Sequence, residues 1–372
     1  MNLSLIVIVV IVAALAFDFT NGFHDTANAM ATSIATGALK PKVAVAISAV
    51  LNLVGAFLSI EVAKTISGGI VDETKITPAV IFAGLAGAII WNLLTWLFGL
   101  PSSSSHALFG GLIGATWIAS GGGAVHFAQV VQKVLIPAVA SPVVAGVVAM
   151  AGTFIVYKIT ASARQDVVSK SFKTAQALSA SLVSLAHGTN DAQKTMGVIT
   201  LTLVSSGALA AGSAPPVWVI LAAGLAIAAG TYFGGWRIIH TMGKRITEIQ
   251  TPQGFAAETS AAVTILASSH LGFALSTTHV CSGGIIGSGV GRKLAEVRWG
   301  VAGRMVIAWL LTLPAAAVVG ALASKVSAEG TFGTALVAVF LIAVAGGIFG
   351  WSRRNPVTPD NVTEPAPVPV AA

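Results

Sequence analysis

Nine long apolar segments follow one another along the chain, at residues 3–36, 43–60, 78–122, 130–157, 174–204, 216–236, 256–291, 299–324 and 332–351. A bilayer core about 30 Å thick takes roughly 20 apolar residues per crossing helix, and no stretch between these segments has room for a soluble domain. Only 9% of the 372 residues are charged and 55% are hydrophobic, whereas a soluble domain is about 25% charged. The expected class is an all-α polytopic membrane protein with the lipid bilayer as its partner. Met1–Ala16 lacks the positively charged start of a signal peptide and reads as a retained first span.

Cys281 is the single cysteine, so the chain forms no internal disulfide and no cysteine-based metal site. The net charge of +7 comes mainly from lysines and arginines between spans, which is a topology signal rather than a nucleic-acid surface. Lys40 and Lys42, the mid-chain group Lys158 to Lys173, Arg237 with Lys244 and Arg245, Arg292 with Lys293 and Arg298, and Arg353 with Arg354 share one face under one condition. Segments 78–122 and 256–291 must each return to the side they entered. The N-terminus is then outside and the C-terminus cytoplasmic, with Lys64, Lys75, Lys133 and Lys325 the minority outside.

Those two segments are too long for one crossing and short for two. They are interrupted at GLPSSSSHALFGG and GFALSTTHVCSGG, where Gly, Pro and successive hydroxyls stop a helix. Each is read as a re-entrant helical hairpin, since irregular backbone at membrane depth must be buried in protein or line a polar cavity.

The chain also repeats itself. NGFHDTANAM (Asn21–Met30) aligns with HGTNDAQKTM (His187–Met196), matching Gly22 to Gly188, Asp25 to Asp191 and Met30 to Met196. The hairpin tips align in turn, His106 with His279 and Gly110, Gly111 and Gly114 with Gly283, Gly284 and Gly287. With opposite starting sides, the halves form an inverted-topology repeat with broken helices, an architecture that places substrate near the midplane where the repeats meet. Residues 1–157 are the first repeat, 158–173 a cytoplasmic linker, 174–324 the second repeat, 325–351 an additional span and 352–372 a disordered, proline-rich tail.

The polar residues inside the repeats are the candidate site. A carboxylate at mid-span costs about 2.5–3.5 kcal/mol on insertion scales, yet Asp25 and Asp191 sit at matched positions. A purely structural acid would be paired with a lysine, and Lys194 stands one turn from Asp191. Ser103, Ser104 and Ser105, and Ser276, Thr277 and Thr278, open the returning hairpin helices, whose N-termini favour an anion; capping the helix is a compatible role. An anion beside two aspartates needs a cation between them: a proton, sodium or a divalent metal. Asn21, Asn28 and Asn190 offer amide donors or carbonyl oxygens. His24, His106, His187 and His279 lie in the motifs as packing groups or proton handlers, and Asp18, two turns before Asp25, lines the same path or an interface.

Together GFHDTANA, HGTNDAQK, the two tips and GWRIIHTMGKRITEIQTPQGFAAETSAA resemble the inorganic phosphate transporter (PiT) family, and its compact bacterial low-affinity members most. The resemblance implies import of inorganic phosphate across the cell membrane by cation-coupled symport, with no organic cofactor. It places phosphate at Asp25, Asn28, Ser103–Ser105, Asn190, Asp191 and Ser276–Thr278. Asn21, His24, Asp25, His187, Asp191 and Glu258 are the expected cation-coupling set. The family's Asn-Asp pair is kept as Asn190-Asp191 but is His24-Asp25 in the first copy, Lys194 stands opposite Asn28, and Asn52 falls where sodium-coupled relatives tend to carry glutamate. These departures favour protons over sodium. Sulfate as substrate, phosphate carried as a divalent-metal complex, a homo-oligomer and an intramembrane Asp/His enzyme remain alternatives; no HExxH or G-x-S-x-G supports the last.

Overall fold

The computed structural model describes residues 3–292 and 297–364; Lys293 and the end of the tail, 365–372, lie outside the described residues. Fourteen helices run through the described residues, accompanied only by short 3-10 and π turns and one isolated bridge. Five are long and apolar enough to cross a membrane, and a sixth crossing arises if two bent helices are taken together. The protein is a multi-pass membrane protein.

Helix α1 (Leu5–Ala35) and helix α8 (Gln165–Ser205) carry the two matched motifs. Both run unbroken through them, so the breaks expected at Asn21–Met30 and His187–Met196 are not there. The polar side chains find partners on neighbouring helices and leave the backbone ladder intact. Gly22 and Gly188 serve close approach instead of bending. A Cβ on Gly22 would strike the Ile227 carbonyl of α9 (Val217–Phe233), and one on Gly188 the Asn52 carbonyl of α2 (Pro41–Gly55). With 15 residues, α2 is about 22 Å long at 1.5 Å per residue and too short for a full crossing.

The breaks fall elsewhere. Helices α4 (Pro78–Leu97) and α5 (Ser104–Ser120) form the first hairpin, turned at Gly99 with φ +62° and Pro101. Helices α11 (Thr251–His270) and α12 (Thr277–Arg292) form the second, turned at Gly272 with φ +69°. A third break, at Gly234 (φ +74°), bends α9 by 61° into α10 (Trp236–His240). Short α3 (Glu61–Gly69) completes the first half before its hairpin.

Each hairpin is closed by the last helix of the other half. Gly110 and Gly114 on α5 lie against the carbonyls of Leu313 and Ala317 on α13 (Trp299–Ser327). Gly283 and Gly287 on α12 lie against those of Pro142 and Gly146 on α7 (Ile136–Ile159), which continues the short α6 (Phe127–Val130) through a π turn. The contacts recur at matched positions of the two copies. Helices α7, α13 and α14 (Thr331–Ser352) expose large apolar side chains such as Val139, Leu310 and Ile342, a lipid-facing surface.

Two expected boundaries move. Helix α8 begins at Gln165, so most of the linker expected at 158–173 is helical. The described part of the tail is folded back, not disordered. The Arg237 guanidinium donates to the carbonyls of Ser352 (2.7 Å) and Asn355 (2.5 Å), His240 contacts the Glu364 carbonyl at 3.1 Å, and Val362 is buried. Side chains at the α9–α10 bend thus hold the backbone of the tail, which also forms turns of its own at Asn361 and Glu364.

Candidate functional site

The motif helices cross so that the residues of one copy reach the acid of the other. Asn21 Nδ2 of α1 lies 3.4 Å from Asp191 Oδ2 of α8, and His187 Nε2 of α8 lies 4.0 Å from Asp25 Oδ2 of α1. Between the acids comes the second hairpin tip. Thr277 Oγ1 is 3.4 Å from Asp25 Oδ2 and 3.3 Å from Asp191 Oδ2, so its one proton can go to either carboxylate. Thr278 Oγ1 donates to Asp25 Oδ1 at 3.4 Å, and Asn28 Nδ2 donates to both hydroxyls at 3.2 and 3.1 Å. All of these side chains are at most 5% exposed. The cluster is occluded.

Each carboxylate has a partner of its own. His24 Nδ1 is 2.6 Å from Asp25 Oδ1, and its Nε2 reaches Thr95 and Ser102 at 3.2 and 3.4 Å. Lys194 Nζ donates to Asp191 Oδ1 at 2.6 Å, fully buried. His187 Nε2 stands 3.3 Å from Asp191 Oδ2 without completing a hydrogen bond, while its Nδ1 is 3.1 Å from Asn52 Oδ1. Asn52 Nδ2 is held by Thr231 at 2.7 Å. With the amide so oriented, Nδ1 carries a proton toward Asn52 and Nε2 faces the acids. Asp25, His187 and Asp191 each offer one ligand atom within 4.8 Å of the others, a geometry that suits a small cation.

The first tip is arranged differently. Ser103 caps α5 by accepting from His106 N at 3.1 Å, Ser105 donates to the Leu275 carbonyl at 3.2 Å, and Ser104 Oγ, buried, has no hydrogen-bond partner among the described residues. Ser276 caps α12 in the same way, accepting from His279 N at 3.2 Å. Asn190 turns from the cluster to Ser269 Oγ at 2.9 Å on α11. His106 and His279 meet each other at 4.8 Å beside an apolar cavity of about 650 Å³ between α7, α12 and α13.

Glu258 forms a separate knot. Its carboxylate accepts from Thr32 and Ser33 of α1, Ser33 at 2.7 Å, and from Gln176 and Ser179 of α8 at 3.1 and 2.5 Å. Thr36, one turn beyond Thr32, binds Gln176 Oε1 at 2.7 Å and lines a basic cavity of about 1060 Å³ with Lys244, Arg245 and Arg298. Glu258 therefore stands between the cluster and this vestibule. Thr95, Ser102 and Thr231 escape sequence reasoning. Only Ser102 had a signal, its place in the serine run.

Apolar spans that enclose an occluded polar cluster, with two helix-opening tips converging on it, define a multi-pass membrane transporter. Residues 21–320 match the Phosphate transporter family. A probable low-affinity inorganic phosphate transporter of Mycobacterium bovis is 57% identical over 366 residues, 97% of this chain and 88% of that protein. One of Bacillus subtilis is 42% identical over 327 residues, 86% of this chain and 97% of that protein. A solved structure described as the sodium-dependent phosphate transporter superposes with a TM-score of 0.73 at 26% identity, covering 88% of this chain and all of that one. The chain belongs to the Phosphate transporter family, and it is a transporter and not an enzyme.

Proposed function

We propose that the protein imports inorganic phosphate by symport with a cation, a proton in preference to sodium. The anion sits between the Ser103–Ser105 and Ser276–Thr278 tips, and the coupling charge resides at Asp25, Asp191 and the imidazoles beside them. The halves are related by inverted topology, with the N-terminus outside and the basic vestibule cytoplasmic. One observation carries the reading: the Thr277 hydroxyl lies within 3.4 Å of both matched carboxylates.

Charge arithmetic supports protons. Asp25 and Asp191 contribute two negative charges and Lys194 one positive, so the cluster is −1 with His24 and His187 neutral and +1 with both protonated. Protonation thus turns a site that repels an anion into one that attracts it, and a phosphate that keeps a proton can donate back to a carboxylate. The sodium-dependent structural neighbour keeps sodium as the competing ion. A divalent metal carried with phosphate would be seated by Asp25, His187 and Asp191.

Purified protein in proteoliposomes should accumulate labelled phosphate on an imposed inward pH gradient with sodium absent, and excess sulfate should compete weakly. Uptake that needs sodium and ignores the pH gradient would remove the proton reading and leave phosphate. Sulfate that competes as well as unlabelled phosphate would remove phosphate selectivity.

A further inference from the structure

Asp18 lies on α1 two turns before Asp25, about 10 Å along the axis at 1.5 Å per residue. It is completely buried, and neither carboxyl oxygen has a hydrogen-bond partner among the described residues. The Thr195 hydroxyl of α8, also completely buried, lies beside it as its potential hydrogen-bond partner, at a geometry that completes no bond among the described residues. The repeat gives Asp18 no twin. The matched position in α8 is Ser184, whose hydroxyl is satisfied by Ala180 O at 3.0 Å and Ser48 at 2.9 Å. Among the described residues Asp18 thus forms no ion pair and caps no helix, and Thr195 is the one hydroxyl beside it.

A charged carboxylate in that position would be unsolvated and uncompensated, which membrane interiors tolerate poorly. A metal ion does not suit the surroundings, because hard cations want about six oxygens, and here one carboxyl and one hydroxyl are followed by the Lys194 ammonium. A proton needs only one oxygen. The titratable groups that act on Asp18 are Asp191, His187 and Lys194, all from α8. Of the helices that flank this stretch of α1, α4 contains no titratable side chain and α9 contains Tyr232 alone, which is exposed at the end of that helix.

We propose that Asp18 is a proton-binding site of the transport cycle, protonated in the occluded arrangement and emptied when Lys194 leaves Asp191. A cation arriving beside Asp191 frees the ammonium, which is hydrogen-bonded to Asp191 and near enough to Asp18 to act on it electrostatically. The ammonium then replaces the proton as the counter-charge of Asp18. The O–H bond of the Asp18 carboxyl breaks, its electron pair stays on the oxygen, and the proton passes to water on the side then open. This assignment rests on the proton-symport reading and adds to it a site outside the Asp25–Asp191 cluster.

The test uses the full chain in proteoliposomes, unsubstituted, Asp18→Asn, and Asp18→Ser, the residue that the second repeat already tolerates. Phosphate exchange at equal concentrations and pH should persist in both variants, because exchange needs no net proton movement. Accumulation on a pH gradient should be lost in both. Infrared spectra of the unsubstituted protein at neutral pH should contain a protonated-carboxyl stretch that is missing from both variants. If the unsubstituted protein follows the pH gradient and the variants accumulate equally well, the Asp18 assignment falls alone. The same holds if the carboxyl band survives the substitutions. An unsubstituted protein driven by sodium and indifferent to pH overturns both this assignment and the proton reading.

Discussion

The two hairpin tips have the same start and different ends. Ser103 and Ser276 each cap their helix by accepting from the amide three residues on, at 3.1 and 3.2 Å. Beyond the cap, Thr277 and Thr278 are already engaged with the carboxylates and Asn28, whereas Ser104 has no hydrogen-bond partner among the described residues and Ser105 is bound to the backbone of the other hairpin. The two copies therefore share the cap that builds the fold and differ in what the hydroxyls beyond it contact. The second tip is coupled to charge. On the proposed reading, the first keeps a hydroxyl for the incoming anion.

The largest way to break this division is to remove the charge that the second tip answers. Asp25→Asn or Asp191→Asn should abolish gradient-driven phosphate uptake while leaving folded protein in the membrane, checked by uptake beside a size-exclusion profile. If both single variants accumulate phosphate fully, the second tip is not coupled through these acids.

A smaller effect sharpens it. Ser104→Ala removes a hydroxyl free to donate to a charged oxyanion, which is worth up to about 3 kcal/mol, or roughly a hundred-fold in affinity. Thr277→Ala removes one whose proton is already shared with carboxylates and should cost about 0.5–1.5 kcal/mol, roughly two- to ten-fold. Equilibrium binding of labelled phosphate measures both. A larger loss at Thr277 would reverse the assignment of the tips.

The smallest effect should be the same on both sides. Ser103→Ala and Ser276→Ala each remove an N-cap, worth about 0.5–2 kcal/mol, and should lower the thermal midpoint in detergent by similar amounts. Unequal shifts would mean that one of the serines also binds the anion.

Much of this division was legible in the residues. Gly99 and Pro101 in one segment and Gly272 in the other mark the turns, and the spacing from Gly22 to Asp25 returns from Gly188 to Asp191. Lys194 was legible as the partner of Asp191 because the two are three residues apart on a helix. The unbroken course of α1 and α8 was not, since polar residues within a span do not say whether neighbours will satisfy them. Nor was the relay from Thr231 through Asn52 to His187, which joins residues 179 and 135 positions apart. Asn190 follows the motif in sequence and faces Ser269 in space, a choice made by the helix rotation against α11.

The exchange of closing helices between the halves has a consequence for how the chain is made. The glycine face of α5, Gly110 and Gly114, fits the backbone of α13, about 200 residues further along. A growing chain that has inserted its first half holds that face open to lipid, since small-residue surfaces gain their stability only from a close backbone neighbour. The early hairpin must then be parked in the bilayer, or shielded by the insertion machinery, until the ribosome has nearly finished. Cross-linking of nascent chains from α5 should capture lipid or insertase before α13 emerges and α13 afterwards. Assembly is therefore timed by the last third of the message, and the two halves become folded together or not at all.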